Sequence, residues 1–247
     1  MVVAQIGCFQ IRWRRRYLGY AAIILAALAV ALYFATEVDT SLTAADREAI
    51  EALDLDDACA DVDGFDDEIQ CIRTLQDKLL EFSSDLTCTD VGPDVAREPT
   101  AFLERGYGCC FDRSRFIEKA LSHYGFEVRH VAIHQLEKPF PIGYLEPGIR
   151  SHAFSEVRTE RGWMLVESLA AFVGLDKNGR VYTAPEFKEA MAESEDFSSR
   201  FDTPIPGDLK LDYHTAYGLY SRHGKFYPPY LPLPDIKWSQ FMANFAP

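Results

Sequence analysis

Residues 106–125 read Gly106-Tyr107-Gly108-Cys109-Cys110-Phe111-Asp112-Arg113-Ser114-Arg115-Phe116-Ile117-Glu118-Lys119-Ala120-Leu121-Ser122-His123-Tyr124-Gly125. Phe116, Ile117, Ala120, Leu121 and Tyr124 recur at 3–4 spacing, which predicts a helix from about Phe111 to Tyr124 with one apolar face and Gly125 as its stop. Cys110 falls where the tight Gly-Tyr-Gly approach enters this helix. Unpaired N–H groups and the dipole at a helix mouth favour negative charge, which can lower a thiol pKa from about 8.5 into the range of roughly 3.5–7.5. A nucleophilic thiolate is therefore the chemistry to expect at Cys110, and the same N–H groups suit an oxyanion on an attacked carbonyl.

Downstream, residues 126–134, 151–157 and 163–168 read as strands, the last two joined by Arg158 to Gly162 as a hairpin. If Val157 pairs with Gly162, His152 stands opposite Glu167, close enough for the carboxylate to orient one ring nitrogen while the other faces Cys110. The fold class expected is α+β, a cysteine-bearing helix packed on an antiparallel sheet.

These residues resemble the transglutaminase-like superfamily of papain-type cysteine enzymes. The family pattern of Gly-x-Cys-x-Asp, His-Ala-aromatic-x-Glu-Val and Gly-Trp-x-x-Val-Asp is met here in order. The matches are Gly108-Cys109-Cys110-Phe111-Asp112, His152-Ala153-Phe154-Ser155-Glu156-Val157 and Gly162-Trp163-Met164-Leu165-Val166-Glu167. The resemblance covers residues 100–170. It implies a papain-like core with Cys110 as nucleophile, His152 as general acid and base, and Glu167 where the family has Asp. The implied reaction is attack on an amide bond of a peptide or protein through a thioacyl intermediate, ending in hydrolysis or acyl transfer. No cofactor is implied. An alternative is a catalytically inactive member serving as an envelope binding or assembly protein.

Compartment follows from the N-terminus. Tyr17 to Ala35 is a nineteen-residue run without a formal charge, long enough as a helix to cross the roughly 30 Å hydrocarbon layer. Arg12, Arg14, Arg15 and Arg16 precede it, which places residues 1–16 in the cytoplasm and exports the remainder to a periplasmic or other extracytoplasmic space. A cleaved signal peptide competes, with Ala27, Ala29 and Ala31 as small residues at cleavage spacing, but its apolar region is usually only about 7–15 residues.

Cysteine usage fits export. Cys59, Cys71, Cys88, Cys109 and Cys110 follow the span, an odd number; the simplest partition pairs Cys59 with Cys71 and Cys88 with Cys109 and leaves Cys110 free. The net charge of the chain is −13, and 21 basic against 36 acidic residues beyond residue 40 give −15 there. Such a body lacks the basic footprint of a nucleic-acid binder.

One exported domain is expected over residues 41–247. Residues 41–82 read as helices, the first capped by Thr43 or Asp46, the second striped by Ile72, Leu75, Leu79 and Leu80. Residues 83–105 read as irregular, and Ala184 to Glu193 as a helix. The tail, residues 204–247, alternates prolines and rings around Tyr227, Pro228, Pro229, Tyr230, Pro232, Pro234, Trp238 and Phe241. It reads as an extended segment packed across the domain, with docking of an envelope protein partner and a wall of the substrate cleft as the other uses. His130, His134 and His123 lack metal-site spacing, and the acidic stretch from Asp54 to Glu68 lacks the end ligands of a calcium loop, so no metal is expected.

Overall fold

The computed structural model describes residues 3–83, 96–138, 142–146, 149–220 and 235–245, and divides into Met1–Glu37 and Val38–Pro247. The first unit is a single helix, α1 (Val3–Thr36). Its Tyr17–Thr36 stretch has a mean hydropathy of 2.3, with side chains exposed as far as Ala35, and is long and apolar enough to cross a membrane.

The second unit is α+β. Its helices are α2 (Ala44–Glu51), α3 (Asp56–Cys59), α4 (Phe65–Phe82), α5 (Pro99–Arg105), α6 (Cys110–His123), α7 (Ala184–Glu193) and α8 (Trp238–Phe241). Strands β1 (Val128–His134), β2 (Ser151–Thr159), β3 (Gly162–Val166) and β4 (His214–Tyr217) form one antiparallel sheet in the order β3-β2-β1-β4. Strands β5 (Leu219–Tyr220) and β6 (Asp235–Ile236) pair separately.

Local chemistry explains the helix starts. Thr43 caps α2 and accepts from the Asp46 N–H at 3.1 Å, while the Asp46 carboxylate takes the Thr43 N–H at 2.9 Å. The acidic stretch before α4 puts Asp66, Asp67 and Glu68 in its first turn, where the helix dipole favours negative charge. A disulfide joins Cys59 to Cys71, tying α3 to α4 as expected.

Both sheet faces are covered, so β2 is buried almost throughout instead of alternating. On one face Ile72, Leu75 and Leu79 of α4 and Phe116, Ile117 and Leu121 of α6 pack with Val157, Met164 and Val166. On the other, Phe154 and Leu165 meet a cluster of rings, Phe172, Tyr182, Phe187, Phe197 and Phe201. Stretches of this kind lose the period-two signal on which strand prediction rests.

Three expectations are corrected. The β2–β3 register pairs Thr159 with Gly162, a two-residue turn in place of four, so His152 is not directly opposite Glu167. A slip of two preserves the face of every side chain. Residues 83–105 are not wholly irregular: Pro99, favoured at a first helical turn, opens α5, which Gly106 ends in the left-handed conformation at φ 75°. The tail is not only an extended cover, because its residues His214–Tyr217 enter the sheet as β4 against β1. The Pro-rich part of the tail around Tyr227 to Pro234 lies outside the described residues.

Candidate active site

Cys110 is the first residue of α6, and buried charged side chains and a close-packed glycine fix that helix start. Asp112, fully buried, accepts the Cys109 N–H at 2.8 Å and pairs with Arg105 Nη2 at 2.9 Å and Arg97 Nη1 at 3.2 Å. Arg113, also buried, donates from Nη1 to the Leu79 carbonyl at 2.9 Å and from Nη2 to the Ser83 carbonyl, so it binds α6 to the C-terminal end of α4. Gly108 permits the approach: a Cβ there would lie 2.8 Å from the Phe102 ring and 2.9 Å from Asp112 Cβ. Two small residues paired across β1 and β2, Ala132 and Ala153, pack with Cys110.

Cys110 is a free thiol. Cys109 is disulfide-bonded, but not to its neighbour, whose Sγ is 3.9 Å away. The expected partner Cys88 lies outside the described residues.

His152 is 4% exposed and its Nε2 meets Glu167 Oε1 at 2.6 Å. The same oxygen accepts the N–H groups of Ser168 at 2.9 Å and Leu169 at 3.0 Å. Glu167 therefore folds back onto its own strand end, which accommodates the methylene it has beyond Asp. Burial pulls the His152 proton affinity down; the Glu167 carboxylate and the Cys110 sulfur outweigh it, and the imidazole pKa stands well above its ordinary value. With Nε2 engaged by Glu167, the nitrogen left for the sulfur is Nδ1. Cys110 raises the proton affinity of the ring both as a hydrogen-bond partner and through its charge.

No protein-family model matches this chain, and no curated protein or solved structure matches it.

His152 lines a small cavity of about 10 Å³ with Ile133, Gln135, Arg150, Ser151 and Tyr213. Gln135 and Arg150 also line a separate recess of about 590 Å³ edged by Glu137, Glu146 and Asp212. The three residues singled out for chemistry, Cys110, His152 and Glu167, thus share one buried neighbourhood.

Sequence reasoning missed Gln76. Its Nε2 donates to the Glu167 carbonyl at 2.8 Å and the Phe172 carbonyl at 2.9 Å, holding the backbone that carries the carboxylate. The signal was a polar residue inside the buried stripe of α4, between Ile72 and Leu79. His130 and His134 are packed residues: His130 Nδ1 pairs with Glu118 at 2.6 Å, and burial lowers the His134 pKa to about 3, which suits a neutral core ring. Among the described residues no group of three His, Cys, Asp or Glu is placed to hold a metal.

Proposed function

We propose that this protein is a membrane-anchored, transglutaminase-like cysteine enzyme with a papain-like core, acting on amide bonds of peptides or proteins. The observation that supports it is the single imidazole of His152 engaged by Glu167 at one nitrogen and influenced by Cys110 at the other side. A His152 that keeps its proton at neutral pH stabilises a thiolate beside it.

In the proposed reaction the Cys110 sulfur forms a bond to the amide carbonyl carbon, and the oxyanion develops at the mouth of α6. The C–N bond then breaks as His152 gives its proton to the leaving amine, leaving a thioester on Cys110. His152, now neutral, takes a proton from water or from a second amine, which attacks the thioester and frees the sulfur. Water gives hydrolysis and an amine gives acyl transfer.

For location, α1 serves as a retained signal anchor with residues 1–16 in the cytoplasm and residues 41–247 outside. The Cys59–Cys71 disulfide suits that compartment. The second reading, a catalytically inactive envelope binding protein, draws support from burial, since Cys110 is only 6% exposed.

Iodoacetamide labelling near neutral pH separates the two. Fast alkylation confined to Cys110, slowed at least about tenfold in His152→Ala, is the enzymatic outcome. Equal, slow labelling of both proteins is the outcome that removes it. Trapping an acyl adduct on Cys110 from an envelope extract with His152→Ala, read by intact mass, would then identify the substrate.

A further inference from the structure

Residues 238–245 read Trp238-Ser239-Gln240-Phe241-Met242-Ala243-Asn244-Phe245, forming α8 and a 3₁₀ turn, Met242–Phe245. The segment carries no charged residue, in a chain whose net charge is −13. Trp238, Phe241, Met242 and Phe245 recur at i, i+3, i+4 and i+7, the spacing of an apolar stripe that ordinarily faces a core.

Here the polar residues face the protein instead. Gln240 accepts the His130 N–H at 3.0 Å through Oε1. Asn244 accepts the Tyr217 N–H at 2.8 Å and donates to the Tyr217 carbonyl at 3.0 Å, closing the outer edge of β4 as a further strand would. The stripe is left outside: no residue of the segment is buried, and Met242 and Phe245 are 58% and 59% exposed. Trp238 and Phe245 each meet Phe241 edge-on with ring centroids 5.6 Å apart, so the rings stand as one group.

Close packing fixes this seat. Gly218, in the left-handed region at φ 64°, accepts the Lys237 N–H at 2.8 Å. A Cβ on it would lie 2.6 Å from the Lys237 carbonyl oxygen and 2.7 Å from the Phe241 nitrogen. The exposed stripe is therefore a built feature of the fold and not a frayed end.

Chain length says what the stripe faces. Tyr17–Thr36, a helix rising about 1.5 Å per residue, is about as long as the hydrocarbon layer is thick, which puts Thr36 at the boundary of that layer. Only Glu37 separates Thr36 from Val38, a reach of at most about 7 Å. The Val38 N–H donates to the Ile236 carbonyl at 3.1 Å, and Trp238 follows two residues later. Connectivity thus holds the start of α8 near the headgroup layer, where aromatic rings partition favourably. An acidic body draws no attraction from anionic lipid, which leaves ring insertion as the contact.

The geometry points to a membrane-docking surface: the stripe of residues 238–245 inserts its rings at the headgroup–acyl boundary of the bilayer that α1 crosses. The tether makes this contact intramolecular, so shallow insertion of a few side chains suffices to hold it. Gln240 and Asn244 then fix how β1 and β4 stand over the membrane. The docking rests on the reading of α1 as a retained anchor and not on Cys110 being a nucleophile.

The test reconstitutes the full chain into phosphatidylcholine vesicles, with the photo-cross-linker p-benzoylphenylalanine replacing Phe245, and reads adducts by mass after flotation and illumination. A phospholipid adduct at residue 245 is expected, unchanged in about 0.5 M salt. Met242→Glu puts a charge on the stripe at an exposed position; flotation should persist while the adduct falls at least about fivefold. Should the probe at 245 disturb the fold, the same probe replacing Met242, with Phe245→Glu as its control, makes the reciprocal measurement. A chain that floats with the vesicles yet gives no lipid adduct, or gives an adduct to a second copy or to itself in its place, overturns the docking and leaves the anchor standing. A chain that does not float overturns both.

Discussion

Counting on from the β2–β3 register, Glu167 lies opposite Phe154, two residues along from His152, and still places Oε1 2.6 Å from His152 Nε2. Positions offset by two across a strand pair are about 7–8 Å apart, so a long arm is needed to close that diagonal. Glu supplies it. The carboxylate is also fixed at its base, since Ser168 and Leu169 donate to the same oxygen and Gln76 holds the Glu167 carbonyl.

Glu167→Gln keeps the arm and removes the charge. Burial opposes the raised proton affinity of His152, and Glu167 is the largest contribution sustaining it. The substitution should therefore drop the His152 pKa toward or below its ordinary value, read directly by imidazole NMR titration. Glu167→Asp keeps the charge and shortens the arm; Cys110 labelling should slow about tenfold. An unchanged titration in the Gln variant would show that the charge is not the source.

The same shift sets a pH dependence of stability. A His pKa raised in the folded state above its unfolded value of about 6.5 contributes stability fully present below that value and lost as pH rises through the folded one. The difference in denaturation midpoint between the natural protein and His152→Gln should thus be largest on the acid side, above the carboxylate range, and shrink toward alkaline pH. A difference that grew with pH would contradict the assigned direction.

How far the sequence reached depended on how local each determinant is. The α6 helix, the Ala184–Glu193 helix, the Cys59–Cys71 bridge and the order of β1 to β3 could all be read, because apolar spacing, caps and cysteine parity act over short distances. The hairpin register could not, since Thr159 and Gly162 close a two-residue turn that the flanking polar residues do not announce. β4 was hidden because His214–Tyr217 is short and gains its strand character from β1, a partner about eighty residues earlier. Gln76 and Arg113 escaped notice for a related reason: their partners are backbone carbonyls, which carry no residue-type signature.

Gly108→Ala tests the packing at the mouth of α6. A methyl there would lie 2.8 Å from two Phe102 ring carbons and 2.9 Å from Asp112 Cβ, and both neighbours are buried. Overpacking of this kind costs about 1–3 kcal/mol. A melting temperature lower by several degrees and slower alkylation of Cys110 are expected together, since the shift must displace the helix start that carries the thiol.

Asp112→Asn tests the charge that anchors the same helix start. The substitution preserves shape and an acceptor for the Cys109 N–H, but leaves the guanidiniums of Arg97 and Arg105, only 14% and 11% exposed, without their shared carboxylate. Breaking a largely buried ion pair by neutralising one member costs about 3 kcal/mol, at the lower end of the buried range because both arginines retain some solvent. For a domain of this size that corresponds to a melting temperature about 6–12 °C lower. Thermal unfolding of the two proteins side by side measures it, and a change of less than a degree would show that Arg97 and Arg105 find other partners and that Asp112 acts only as a backbone cap.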